Sequence, residues 1–98
     1  MKVAKKKDVV EGKPFCAVFK EKPIALFNVG GAYYAVDNKC THMGGPLCQG
    51  MLSGEVIQCP WHGSRFNVKT GKVIGGPASR PVKQHKVRVD GEDIEVTG

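Results

Sequence analysis

The chain lacks the features that would place it in several large classes of protein. It contains no run of about 20 apolar residues, so no membrane-spanning helix is expected. It begins MKVAKKKD, without the apolar segment of a secretory signal peptide. We therefore expect a soluble, cytoplasmic protein.

Patterns of catalysis and of nucleic-acid binding are missing as well. No Ser–His–Asp set, no pair of catalytic carboxylates and no phosphate-binding glycine loop is evident, so we expect no enzymatic turnover from this chain alone. Aromatic residues make up 7% of the sequence and do not alternate with basic residues, which argues against nucleic-acid binding. The formal net charge of +6 favours solubility and would also suit an acidic protein partner.

The apolar residues that are present fall in short runs typical of β-strands. Gly30-Gly31 and Asp90-Gly91 are hairpin turn signals between such runs. Strands are predicted at residues 15–19, 24–29, 32–36, 55–58, 65–67, 72–74 and in two segments of 86–96. With 98 residues, the chain is predicted to form one all-β, antiparallel domain and to be a monomer.

Two cysteine–histidine pairs are the most informative motif of the sequence. Cys40 and His42 form a C-x-H pair, and Cys59 and His62 form a C-x-x-H pair after a gap of 16 residues. Two soft thiolates and two imidazoles on two short loops are predicted to bind metal. The ligand types alone suit either a mononuclear zinc site or a binuclear iron–sulfur centre with mixed ligands.

The segments around these four residues narrow the choice. The first loop reads CTHMGGPL (40–47), the second reads CPWHGSRF (59–66), and a later segment reads GPASRPV (76–82). In this order and spacing, they resemble the two cluster-binding loops and the proline loop of Rieske proteins. The resemblance extends over the whole chain, because a free-standing Rieske ferredoxin is about this long.

The Rieske resemblance implies one [2Fe–2S] cluster, with Cys40 and Cys59 on one iron and His42 and His62 on the other. It also implies a single domain over residues 1–98 with an inserted part. In that layout, residues 1–37 and 83–98 form a β base, and residues 38–82 form a small cluster-binding subdomain.

The function implied by the resemblance is that of a soluble one-electron carrier between redox proteins. Such a ferredoxin would pass electrons from a flavin reductase to an oxygenase. Two alternatives remain at this point: a small Rieske-fold subunit of a larger reductase, such as nitrite reductase, and a zinc-bound structural module.

The resemblance also bears on the reduction potential. Some Rieske proteins join the two loops by a disulfide, but the matching positions here are Gly45 and Trp61. Ser64 matches a serine found near the cluster in high-potential members, whereas Phe66 stands where they have a tyrosine. With fewer hydroxyl donors to sulfur, we expect a potential at the low end of the Rieske range.

Five further residues carry weaker expectations. Cys16 is predicted to be a buried hydrophobic residue, and a bridge between Cys16 and Cys48 is not expected in a reducing cytosol. His85 is predicted to be a surface histidine that binds no metal. Trp61 is expected either to pack over the loops or to contribute to docking. Met43 is expected to pack against loop residues.

Overall fold

The computed structural model describes residues 1–42 and 44–97. Met43, for which the sequence predicts a packing role, lies outside the described residues. Within them the chain forms ten strands: β1 (Lys2–Lys5), β2 (Phe15–Phe19), β3 (Lys22–Val29), β4 (Ala32–Asp37), β5 (Met51–Ser53), β6 (Val56–Gln58), β7 (Arg65–Asn67), β8 (Val73–Gly75), β9 (Gln84–Asp90) and β10 (Asp93–Thr97). Lys6–Asp8 and Leu47–Gln49 are short 3₁₀ helices.

The strands form two antiparallel sheets, and the predicted all-β, antiparallel class is confirmed. The larger sheet has the order β1-β10-β9-β4-β3-β2, and the smaller sheet has the order β5-β6-β7-β8. The smaller sheet is built entirely from residues 51–75, inside the segment that the sequence predicts as an inserted subdomain. The exact boundaries of that subdomain, 38 and 82, remain a prediction.

Two cores lie on opposite faces of β3. Ala25 and Phe27 point into the first core, which also contains Cys40, Cys59 and Phe66. Ile24 and Leu26 point into the second core, which continues through residues of β2, β4 and β10. Successive side chains of a strand point to opposite faces, so a strand covered on both sides must be apolar at every position. This accounts for the uninterrupted apolar run in the sequence.

Two strands were not predicted from the sequence. β1 is rich in lysine, and Ala4 is its one buried residue. It pairs with β10, and Lys2 forms an ion pair of 3.2 Å with Asp93. β5 has only three residues, of which Met51 is 75% exposed. Both strands lack a clear apolar periodicity because each lies at the edge of a sheet.

Cys16 and Cys48 form a disulfide, so the expectation that they stay unbridged is wrong. The sulfur atoms are 1.99 Å apart and the Cα atoms 5.0 Å apart. Cys16 is also exposed rather than buried. The reason is a tertiary contact: the Leu47–Gln49 helix packs against β2 and β3 and brings Cys48 to Cys16.

His85 is not a surface histidine, and this prediction is also wrong. Its side chain is only 4% exposed, and its Nε2 lies 2.6 Å from Asp37 Oδ1. His85 pairs with Ala35 across β4 and β9, and its ring meets the Phe19 ring edge-on at 5.9 Å between centroids. The strand pairing therefore turns this side chain toward the second core.

No helix in residues 1–42 and 44–97 is long and apolar enough to cross a membrane.

Candidate metal centre

The two predicted ligand loops are closed by their own backbone hydrogen bonds. In the first loop, the Cys40 N–H donates to the Gly45 carbonyl at 2.9 Å, and the Gly44 N–H donates to the Cys40 carbonyl at 2.8 Å. In the second loop, which joins β6 to β7, the Cys59 N–H donates to the Ser64 carbonyl at 2.7 Å. Each cysteine thus begins a tight turn.

The second turn requires two consecutive residues in the left-handed region. His62 has φ of 66° and Gly63 has φ of 77°. A non-glycine residue with positive φ is uncommon and is a frequent feature of functional sites. At His62 this conformation sets the direction of the imidazole relative to Cys59.

The four predicted ligands lie as two pairs at different depths. Cys40 and Cys59 are 3% and 1% exposed and are close enough for their thiol groups to interact. His42 and His62 are exposed, and their ring centroids are 5.4 Å apart. No three His, Cys, Asp or Glu side chains of the described residues are arranged to hold a single metal ion. The arrangement is an inner sulfur pair and an outer nitrogen pair.

Electrostatics around the inner pair favour neutral thiols while no cation is bound. Burial raises the pKa of the Cys59 thiol, and the neighbouring Cys40 thiol raises it further. The Trp61 N–H, 3.4 Å from Cys59 Sγ, acts in the opposite direction by stabilising a thiolate. A bound cation would supply the charge that makes both thiolates stable.

The two loops meet at Gly45. A Cβ atom at this position would lie 2.6 Å from Cys59 Sγ and 3.1 Å from Trp61 Cβ. Positions 45 and 61, which the resemblance to Rieske proteins pairs across the loops, are therefore adjacent. Trp61 is 51% exposed while its Cβ and Cγ pack on Gly45. The structure gives Trp61 both the packing contact and the exposure that the sequence proposed as alternatives.

A third segment, residues 76–82, is attached to both loops. The Thr41 hydroxyl donates to the Arg80 carbonyl at 2.7 Å, and the Ala78 N–H donates to Ser64 Oγ at 3.1 Å. Gly76 approaches the second loop so closely that a Cβ atom would lie 2.6 Å from Ser64 Cα. The role of Thr41 was missed from sequence, because nothing in its neighbours signals a bond to a residue 39 positions away.

The donor set fits a two-iron centre of mixed ligation. Two buried thiols and two exposed imidazoles, carried on the same two loops, match two thiolates on one iron and two imidazoles on the other. Mononuclear zinc instead needs its donors around one point.

Comparison with known proteins supports this chemistry. A family model described as the Rieske [2Fe-2S] domain matches residues 1–86. The chain belongs to the Rieske [2Fe–2S] family. The cofactor of this family is a [2Fe–2S] cluster, as the sequence predicted.

Relatives of similar length are components of oxygenase systems. The chain is 39% identical over 88 residues to the 3-phenylpropionate/cinnamic acid dioxygenase ferredoxin subunit of Escherichia coli K12, covering 89% of this chain and 82% of that protein. It is 34% identical over 89 residues to the naphthalene 1,2-dioxygenase system ferredoxin component of Pseudomonas aeruginosa, covering 91% and 86%.

Solved structures show the same fold. The ferredoxin of carbazole 1,9a-dioxygenase from Nocardioides aromaticivorans IC177 superposes with a TM-score of 0.93 at 32% identity, over 98% of this chain and 94% of that one. A chain from a complex of reduced oxygenase and oxidised ferredoxin in carbazole 1,9a-dioxygenase gives 0.92 at 34% identity, over 99% and 100%. A putative nitrite reductase small subunit gives 0.85 at 18% identity, over 100% and 97%, which shows a shared fold alone.

Proposed function

We propose that this protein is a soluble one-electron carrier that passes electrons from a flavin reductase to an oxygenase. The observation that carries the proposal is the similarity, over most of the length of both chains, to ferredoxin components of dioxygenase systems. The chain would act through redox protein partners and have no turnover of its own. We propose a cytoplasmic monomer.

We propose Cys40, His42, Cys59 and His62 as the ligands of the [2Fe–2S] cluster. The support is their arrangement as a buried sulfur pair and an exposed imidazole pair at the meeting point of two loops. The cluster supplies one-electron redox chemistry when bound. The exposed histidines would place its outer side at the protein surface, which gives an electron a short path to a docked partner.

The protein's own groups tune the potential. Neutral imidazoles in place of thiolates make the site less negative and raise the potential relative to all-cysteine ferredoxins. Within the Rieske range we propose a low potential, in a protein whose two loops have no disulfide between them. Support comes from Gly45 and Trp61, which carry no sulfur, and from Phe66, which carries no hydroxyl. Ser64 would raise the potential within that low range.

Two other functions are less well supported. A reductase subunit is suggested by the nitrite reductase likeness, but that likeness is one of fold and the curated relatives are ferredoxin components. A zinc-bound structural module would need its ligands around one ion, whereas the candidate ligands form two separate pairs.

Ligand substitution tests the assignment. His42→Cys and His62→Cys should each lower the reduction potential in protein that still holds iron, because an anionic thiolate replaces a neutral imidazole. His85→Cys, at the third histidine of the chain, is the matched control and should leave the potential unchanged. Iron, acid-labile sulfide and protein-film voltammetry give the readouts. One zinc per chain without labile sulfide would contradict the cofactor, and a potential unmoved by either variant would contradict the ligands.

Partner assays test the carrier role. A purified flavin reductase of an aromatic-ring dioxygenase system should reduce the protein, and the reduced protein should then reoxidise in the presence of the matching oxygenase and its substrate. A chain that stays folded only when bound to a large catalytic partner would contradict the carrier role and favour the subunit alternative.

A further inference from the structure

The Cys16–Cys48 disulfide lies outside the candidate metal centre and joins an exposed cysteine to a buried one. Cys16 is exposed on β2, the last strand of the six-stranded sheet, whereas Cys48 is 7% exposed on the Leu47–Gln49 helix. A disulfide is attacked through a sulfur that a thiolate can reach. We propose that this bridge is a thiol–disulfide exchange site that dithiols reduce, and their disulfides re-form, while the protein stays folded.

The bridge is also connected to the first ligand loop. The Cys48 N–H donates to Asn38 Oδ1 at 2.7 Å, and the Leu47 N–H donates to the Asn38 carbonyl at 2.8 Å. Asn38 stands two residues before Cys40, and Leu47 stands two residues after Gly45. The side chain and the carbonyl of Asn38 thus tie the start of the loop to the helix at its end. The disulfide holds that helix against β2. Opening the bridge should therefore increase motion of residues 38–42 and 44–50.

The dithiol supplies all the electrons and protons that the exchange reaction needs. Its thiolate attacks Cys16 Sγ, a mixed disulfide forms on Cys16, and Cys48 leaves as a thiolate that takes up a proton. The second thiol of the reductant then attacks the mixed disulfide and releases Cys16, which is also protonated. Two electrons and two protons pass from the dithiol to the bridge, and the reductant becomes a disulfide. The oxidised dithiol reverses the reaction.

Thiol trapping of the intact, cofactor-loaded protein tests the exchange. The protein is equilibrated with reduced and oxidised dithiothreitol at several ratios, trapped with N-ethylmaleimide and measured by mass spectrometry. We expect Cys16 and Cys48 to be labelled together in samples from reducing ratios and to be unlabelled in samples from oxidising ratios. The visible absorption should persist at every ratio.

Hydrogen exchange tests the connection to the loop. Peptides covering residues 38–50 should exchange several-fold faster in the dithiol form, while peptides covering 87–96 stay unchanged. Cys16→Ser should show the fast exchange in all conditions. Val18→Ser, at an exposed position on the same face of β2, is the matched control and should behave as the unsubstituted protein.

Three results would overturn the proposal. The bridge could fail to form at any oxidising ratio, it could become reducible only in denaturant that unfolds the chain, or residues 38–50 could exchange equally fast in both forms. None of these results would affect the carrier role, which is tested separately by iron and sulfide content, potential and partner assays.

Discussion

Small side chains determine how closely the two ligand loops approach each other. Gly45 lies against Cys59 and Trp61, and Gly76 lies against the backbone of Ser64. At both positions a Cβ atom would lie within 3.0 Å of a neighbouring heavy atom. Ser64, which is fully buried, uses its hydroxyl to hold the third segment through Ala78. A larger side chain at either glycine would overlap the neighbouring segment. A side chain without a hydroxyl at position 64 would lose the bond to Ala78.

Gly45→Ala should separate the two loops. The new methyl group would overlap Cys59 Sγ, and overpacking of this kind costs about 1–3 kcal/mol in the free energy of unfolding. We expect fewer irons per purified chain as well as lower stability in urea. Gly54→Ala is the control for iron content: its φ of 60° is unfavourable for alanine, which that of Gly45 is not, but its Cβ would meet nothing within 4 Å, so it should lose stability without losing iron. Full iron content in Gly45→Ala would contradict the close approach.

Ser64→Ala should destabilise the protein and lower its potential. The substitution leaves the buried Ala78 N–H without its acceptor, which costs about 1–3 kcal/mol in the free energy of unfolding. It also removes the hydroxyl that, by the resemblance to high-potential Rieske proteins, we propose as a donor to a cluster sulfur, so the reduced state should lose stabilisation. Urea denaturation and voltammetry measure the two effects. Ser53→Ala, at an exposed serine, should change neither quantity. If Ser64→Ala equals this control, the role of the hydroxyl is wrong.

At the scale of elements, three connections hold the irregular part of the chain to regular structure. The β6–β7 hairpin carries the second loop. The Leu47–Gln49 helix, bridged to β2, carries the end of the first loop. Residues 76–82 contact both loops and lead into β9. The site is thus supported from both sheets, although its four candidate ligands come from two short loops.

Opening the disulfide should lower the free energy of unfolding. The bridged residues are 32 positions apart, and a cross-link that closes a loop of this length restricts the unfolded chain by about 3–4 kcal/mol. Urea denaturation of the bridged and dithiothreitol-reduced forms should show a difference of this size. Cys16→Ser should match the reduced form and should not respond to the reductant. Equal midpoints for the bridged and reduced forms would show that the cross-link adds no stability.

At the scale of the whole molecule, the two cores differ in their dependence on the cofactor. Both candidate cysteine ligands belong to the first core, together with Phe27, Leu47 and Phe66. The second core, which includes Phe19, Ile24, Ile94 and Val96, contains none of the four ligands. A bound group that holds two loops together should therefore stabilise one side of the large sheet more than the other.

Iron removal should affect the first core selectively. After chelation under reducing conditions, we expect amide exchange to rise most in residues 47–75 and least in the β9–β10 hairpin. Hydrogen exchange followed by mass spectrometry compares the loaded and iron-free protein at the same pH and thiol state, so that the disulfide does not contribute. A uniform rise over all peptides would mean that the two cores unfold as one unit, and an unchanged pattern would mean that the cofactor adds no stability.

Much of this protein was predictable from local sequence. Alternating and continuous apolar runs gave β2, β3 and β4 with small errors at the ends, because burial on two faces leaves a strong local signal. The β9–β10 hairpin and β7 were also predicted. The cofactor followed from Cys40, His42, Cys59 and His62 together with the resemblance of the segments around them to Rieske loops, because ligand type and spacing alone also suit zinc. The electron-carrier role followed from the same resemblance, whereas the all-β class followed from the apolar runs and the hairpin signals.

The tertiary structure alone decided how distant residues meet. The Cys16–Cys48 bridge, the burial of His85 against Asp37 and the bond from Thr41 to Arg80 join residues 32, 48 and 39 positions apart. Local patterns contain no information on the distance between such residues. The argument that a reducing cytosol disfavours disulfides does not supply that distance either. Sequence by itself determined which residues are candidates for the site. Packing of the Leu47–Gln49 helix on β2, and of the proline segment on both loops, decided which groups touch, because contacts of that kind depend on the path of the whole chain.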